Sequence, residues 1–232
     1  MTVPLESLPN RPDLIPSPAA GILHGFLSLD FEQQATYLSL HIGDNTARDM
    51  DTIKALVELG DSVFPDLAPE VKIGVLRIFD TNAFAQGNTS GIFPKASKIN
   101  HSCLPNAHCC WNDRVGLFTV SAVRNIAAGE EIEICYKAMC RTREERAEDL
   151  SVQNFICGCK ACDATTTFGR KSDERRKQLA EIEQALSMYL NVPAQILDVV
   201  PGFDKRELLR VLNVMEELLK AEGINDIYRF DP

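Results

Sequence analysis

A chain of 232 residues, 45% hydrophobic and 25% charged, is long enough to bury a full core and has the balance of an ordinary globular protein. A formal net charge of −9 argues against direct, non-specific nucleic-acid binding, which needs a basic surface, and is compatible with basic protein partners. No apolar run reaches the roughly 18–20 residues of a membrane span, and Met1-Thr2-Val3-Pro4 lacks the basic flank and apolar stretch of a signal peptide. The proline-rich residues 1–20 read as an irregular entry segment. Phe31, Ala35, Leu38 and Ile42 then recur at helical spacing over residues 31–42. Met50, Ile53 and Val57 repeat the pattern over 47–59. Val71, Val75, Ile78 and Phe79 carry it over 69–84, with Pro69 suited to a helix N-terminus.

After Gly91 the period shortens. Ala107–Trp111 and Gly116–Val123 read as strands joined by a turn at Asn112-Asp113. Ile126-Ala127-Ala128-Gly129-Glu130-Glu131 reads as a turn leading into a strand at Ile132–Tyr136. Arg141–Leu150 is a charged helix. Two amphipathic helices follow at about 173–190, lined by Leu179, Ile182, Leu186 and Leu190, and at 204–222, lined by Leu208, Leu209, Leu212, Met215, Leu218 and Leu219.

Eight cysteines could form a disulfide framework in a small secreted protein. Here Cys103, Cys109, Cys110, Cys135 and Cys140 are scattered through a large chain, and only Cys157, Cys159 and Cys162 cluster. Reduced thiols and one metal site fit this distribution better, which implies an intracellular location, nucleus or cytoplasm. Three thiolates on one tight loop need a fourth ligand to close a tetrahedral structural zinc site.

Three blocks stand in order: Lys98-Ile99-Asn100-His101-Ser102-Cys103-Leu104-Pro105-Asn106, Gly129-Glu130-Glu131-Ile132-Glu133-Ile134-Cys135-Tyr136, and Phe155-Ile156-Cys157-Gly158-Cys159-Lys160-Ala161-Cys162. Together they resemble the C-terminal half of a SET domain and its post-SET cysteine cluster, in the SMYD-like branch of the protein-lysine methyltransferases. The resemblance covers roughly residues 71–163. It implies an α+β fold of small antiparallel sheets with a helical insert, a zinc-bound post-SET and a short helical C-terminal part. The corresponding division is a SET domain at 1–137 with its insert at about 30–85, a post-SET zinc segment at 138–165 and a helical region at 166–232.

The resemblance also assigns roles. Cys103 becomes the fourth ligand of a structural Zn2+ with Cys157, Cys159 and Cys162. Asn100, the His101 backbone, Tyr136 and Phe155 become the site for S-adenosyl-L-methionine, with Phe155 against the adenine. Tyr136 becomes the catalytic residue that orients the attacking amine, while Glu130 and Glu131 read as turn and scaffold residues. Asn82 and Phe84 match a segment beside the lysine channel. Read singly, each has an ordinary structural alternative: a turn cap for Asn100, a satisfied buried histidine for His101, core packing for Phe84 and Phe155, a strand-end tyrosine for Tyr136.

The implied activity is methyl transfer to a lysine of a protein substrate, such as a histone or another basic protein, with no direct nucleic-acid or membrane partner. No G-x-G turn, with which SET domains of this family open, occurs before residue 80, and the first cysteine is Cys103, so the MYND finger is missing from the sequence. The expectation is an N-terminally incomplete SET domain with weak cofactor affinity. The second reading is a catalytically inactive SET-like module that holds a basic peptide or partner protein.

Overall fold

The structure is a computed structural model and describes residues 2–3, 18–43, 52, 54, 64–86, 89–137, 139–151, 153–190 and 204–224. The chain divides into two compact units whose segments interleave. The first comprises residues 1–99, 109–120 and 152–154; the second comprises 100–108, 121–151 and 155–232.

In the first unit, α1 (Pro18–Leu27), α2 (Phe31–Leu38) and α3 (Pro69–Asn82) surround one apolar core. Helix α1 was not expected, because residues 1–20 read as irregular. Its buried residues Ala19, Ala20, Gly21, Leu23 and Phe26 lie on several faces, so the segment shows no clean amphipathic stripe. Helix α2 starts at a reciprocal cap: the Gln33 N–H donates to Asp30 Oδ1 at 2.8 Å and the Asp30 N–H donates to Gln33 Oε1 at 3.1 Å. It ends at Leu38, short of the expected Ile42. Pro69 occupies the first turn of α3 as expected, since that position has no intrahelical N–H bond to lose. The helix expected at 47–59 falls almost wholly outside the described residues.

Leu23, Phe26, Tyr37, Val75 and Ile78 fill this core. Phe26 and Tyr37 meet edge to face at 5.2 Å, and the Tyr37 hydroxyl donates to the Val75 carbonyl at 2.7 Å. A three-stranded sheet in the order β1-β3-β2 completes the unit: β1 (Thr2–Val3), β2 (Ala83–Gln86) and β3 (Thr89–Ile92), all antiparallel. Thr2 pairs with Gly91 and Phe84 also pairs with Gly91, so β3 is the central strand. Strand β1 corrects the irregular reading at residues 2–3; two residues are too few to show a period.

In the second unit, β4 (Asn100–His101) pairs with β7 (Glu133–Ile134), His101 opposite Ile134. This pair is parallel, against the expectation of antiparallel sheets only. The two strands are more than thirty residues apart, long enough for the crossover that parallel pairing needs. The intervening chain holds the hairpin β5 (Ala107–Asn112) and β6 (Leu117–Ala122), whose turn uses Gly116 at φ +65°. Strand β7 is shorter than the expected Ile132–Tyr136.

Helices α4 (Arg143–Ser151), α5 (Thr167–Leu190) and α6 (Lys205–Glu222) belong to the second unit. Helix α5 begins six residues before the expected start, because Thr166 Oγ1 accepts the Gly169 N–H at 3.0 Å and so caps the first turn. Gly169 is required there: a Cβ would stand 1.9 Å from the Asp163 carbonyl oxygen. On α6 the expected apolar stripe is partly covered: Leu209 and Leu212 are exposed, Leu208, Met215, Leu218 and Leu219 are half-buried, and Leu219 packs on the cluster of Val123 and Ile224.

Candidate functional site

The run from Asn100 to Asn106 is fastened to the Gly129–Tyr136 segment by backbone and side-chain bonds. The Ser102 N–H donates to the Ile134 carbonyl at 3.0 Å and the Asn106 N–H to the Glu133 carbonyl at 3.1 Å. Asn106 is fully buried. Its Nδ2 donates to Glu130 Oε1 at 3.1 Å and to the Glu131 carbonyl at 2.7 Å, and its Oδ1 accepts the Glu133 N–H at 2.8 Å. An amide with donors and acceptor all in use has a structural task. Glu130 also accepts the Ala127 N–H at 3.0 Å and pairs with Arg124 at 2.6 Å, so it braces the turn in which Gly129 takes φ +83°. The hydrogen bond from Arg124 is the first cause that pulls its carboxyl down to about 2. Asn100 is exposed and its Nδ2 donates to Glu131 Oε1 at 2.6 Å.

His101, Tyr136 and Phe155 come together as a triangle of rings. Centroids are 5.1 Å apart for His101 and Tyr136, 5.8 Å for His101 and Phe155, and 6.4 Å for Tyr136 and Phe155, the last edge to face. Phe155 remains 36% exposed, so part of an aromatic ring is open for a flat partner to stack on. The Tyr136 N–H donates to His101 Nδ1 at 3.0 Å.

Beside this triangle the sulfurs of Cys103, Cys157, Cys159 and Cys162 lie within 4.8 Å of one another. Cys103 Sγ is 3.8 Å from Cys157 Sγ and 3.6 Å from Cys162 Sγ. Disulfide sulfurs would be about 2.0 Å apart. Four thiolates around zinc would stand about 3.8 Å apart, from a metal–sulfur distance of ~2.3 Å and tetrahedral angles. The donor set and its spacing therefore fit a closed tetrahedral metal site. Two of the four sulfurs are poised to lose protons: hydrogen bonds led by that with Cys103 pull Cys157 well below the usual thiol range and hold Cys159 down to about 5. The bonds that Cys103 makes to Cys157, Cys159 and Cys162 push Cys103 itself up, and Cys162 is raised as well.

Two arginines that the sequence hid surround this cluster. Arg146, in the segment read as a charged helix, is 1% exposed; its Nη2 lies 3.6 Å from Cys162 Sγ and 3.5 Å from the Ala161 carbonyl, while Nη1 donates to the Arg141 carbonyl. A buried cation beside thiolates offsets their charge. Arg176 is fully buried on α5. It donates through Nη2 to the Cys103 carbonyl at 2.6 Å, through Nη1 to the Met139 carbonyl at 2.6 Å, and through Nε to Glu222 Oε2 at 2.8 Å. Ser172 and Arg175 also bond Glu222, at 2.7 and 2.6 Å. Cys103 is thus held at its backbone by one helix while its sulfur joins the cluster. Only partners far apart in sequence bury these charges, which is why periodicity gave no sign of them.

A cavity of about 700 Å³ opens nearby, with His101, Glu133, Cys157, Cys159, Lys160 and Phe168 in its wall. Of the residues expected to hold the cofactor only His101 lines it.

Asn82 and Phe84 belong to the first unit. Asn82 is buried and donates to the His41 and Ile78 carbonyls at 2.8 Å each, which locks the end of α3. Phe84 joins an aromatic cluster, 4.8 Å from Phe118 and 6.3 Å from Phe93, with Phe93 stacked on Phe118 at 4.1 Å.

Residues 26–137 match the family model described as SET domain. The chain's similarity extends to curated protein-lysine methyltransferases of the SET5 and SMYD kinds. It is 39% identical over 122 residues to the histone-lysine N-methyltransferase set5 of Schizosaccharomyces pombe, covering 51% of this chain and 38% of that protein. It is 43% identical over 82 residues to human histone-lysine N-methyltransferase SMYD3, covering 35% of this chain and 19% of that protein. For human protein-lysine N-trimethyltransferase SMYD5 the figures are 37% over 86 residues, 35% and 21%. The chain thus spans well under half the length of each of these relatives.

Proposed function

We propose that the chain transfers a methyl group from S-adenosylmethionine to a lysine side chain of a protein substrate. The observation that carries this reading is the ring triangle of His101, Tyr136 and Phe155 beside four converging cysteine sulfurs, in a chain that matches the SET domain model. S-adenosylmethionine supplies a methyl group on a positively charged sulfur, open to displacement by a neutral amine. Phe155 offers its exposed ring to the adenine, and Asn100 and the His101 backbone offer polar groups to the amino-acid end and the adenine. Tyr136 presents its hydroxyl to the lysine amine. The amine attacks only after losing its proton, so surrounding apolar rings help by disfavouring the charged form. Rate then comes from alignment and water exclusion. Asn82 and Phe84 are assigned to the lysine side of the site. Cys103, Cys157, Cys159 and Cys162 hold one structural zinc that fixes the post-SET loop. The division into a SET domain at 1–137, a post-SET at 138–165 and a helical region at 166–232 goes with this reading.

The substrate is assigned to basic, lysine-rich proteins, histones among them, met in the nucleus or cytoplasm. The net charge of −9 supports a basic partner, and two of the relatives are named as histone-lysine enzymes. The test is incubation of the metal-loaded chain with isotopically labelled S-adenosylmethionine, at millimolar concentration to allow for weak affinity, and a panel of histones. Label on lysine side chains is the expected result. A folded chain that takes up the cofactor yet labels no lysine would instead mark a non-catalytic peptide-binding module.

A further inference from the structure

We infer that the imidazole of His101 is a positioning strut between the cysteine cluster and Tyr136, so that the metal-bound loop sets where the tyrosine stands. The family resemblance gives His101 a role only through its backbone, and the side chain is otherwise unassigned. Strand β7 ends at Ile134, so the backbone N–H of Tyr136 lies beyond the ladder. It finds its acceptor in His101 Nδ1 at 3.0 Å, on the strand that pairs in parallel with β7. An amide N–H can only donate, so Nδ1 carries no proton, and the proton of the ring sits on Nε2. Nε2 stands 3.3 Å from Cys103 Sγ, within reach for an N–H···S bond. A thiolate bound to a metal is the better acceptor for that bond, and such partners of ligand atoms fix their orientation.

The ring therefore has two directed contacts, one at each nitrogen, and neither survives a flip of the imidazole. Cys103 cannot drift to relieve them, because Arg176 holds its carbonyl at 2.6 Å and its sulfur belongs to the cluster. The line from metal ligand to tyrosine is three residues long: Cys103 sulfur, His101 ring, Tyr136 amide. The same ring forms one side of the triangle with Tyr136 and Phe155. Loss of the metal loosens Cys103 and, through it, both other members.

This rests on the metal reading above, and the experiment separates the two. The full chain is loaded with a spin-half cadmium isotope and studied by NMR. A cadmium shift typical of four thiolates tests the metal site. Ring nitrogen shifts of His101 then report where its proton lies, and scalar coupling between that proton and cadmium reports the bond to the ligand sulfur. The expected result is a bare Nδ1, a protonated Nε2 and a coupling to cadmium. His101→Phe, which keeps an aromatic ring, should abolish the coupling, preserve the four-thiolate shift and move the Tyr136 amide resonance. Failure to bind cadmium through four sulfurs contradicts the metal reading and removes the strut's anchor. Cadmium bound by four sulfurs with the ring proton on Nδ1, or without coupling, overturns the strut alone. These wild-type measurements decide the matter even if the His101→Phe chain does not fold.

Discussion

Glu130 and Tyr136 lie in one short segment and do different work. Glu130 carries a fixed negative charge held by Arg124, the Ala127 N–H and Asn106. Its folded-state pKa, about 2, is below its ordinary value, so its contribution to stability is present above the ordinary carboxylate range and is lost as pH falls toward 2. Glu130→Gln should therefore lower the urea midpoint near neutral pH and leave it nearly unchanged close to pH 2. A difference that stays constant across that range would show that charge is not the cause. In the sequence Asn106 is only one residue of a motif, and its task is visible in its three bonds to the Glu130–Glu133 segment.

Helices decide how the cluster is supported. Arg176 on α5 and Glu222 at the end of α6 lie 46 positions apart and share a buried bond, and the same arginine reaches the Cys103 carbonyl 73 positions away. Arg176→Ala should destabilise the second unit by about 3 kcal/mol, because it leaves a buried carboxylate short of one partner and two carbonyls short of a donor. The denaturation midpoint reads this, and a loss under ~1 kcal/mol would mean that Arg175 and Ser172 satisfy Glu222 without Arg176. None of it was legible in the sequence. A charged residue on a helix is usually solvated, and the burial of Arg146, Arg176 and Glu222 depends on partners that only the fold supplies. Helix α1 escaped for a related reason, since a helix covered on several sides has no polar face to reveal its period. By contrast, the strands around the Asn112-Asp113 turn and helices α2 and α3 were readable, because caps, Pro69 and apolar spacing act over a few residues. The members of the ring triangle and the cysteine cluster are legible in the sequence as parts of short motifs. What the motifs did not contain was the histidine side chain's pair of contacts or the arginines behind the sulfurs.

At the scale of the whole chain, the fastening proposed is the metal site. It would tie the 157–162 loop to Cys103 across 54 positions, in a unit whose β4–β7 ladder is only two residues long on each strand. Metal analysis should return about one zinc per chain. Cys159→Ser should reduce both that content and the thermal midpoint, and chelation should reproduce the second effect. A chain that keeps its melting temperature in chelator would separate the four sulfurs from any structural metal. The tyrosine is the other half of the account, because the cluster, the histidine and the phenylalanine all converge on it. The most direct measurement is the rate of lysine methylation by the metal-loaded chain beside its Tyr136→Phe variant. The account predicts that the variant keeps its fold and metal and loses roughly ten- to a thousandfold in turnover, about 1.4–4 kcal/mol of barrier. An unchanged rate in a folded, metal-bound Tyr136→Phe chain would contradict it.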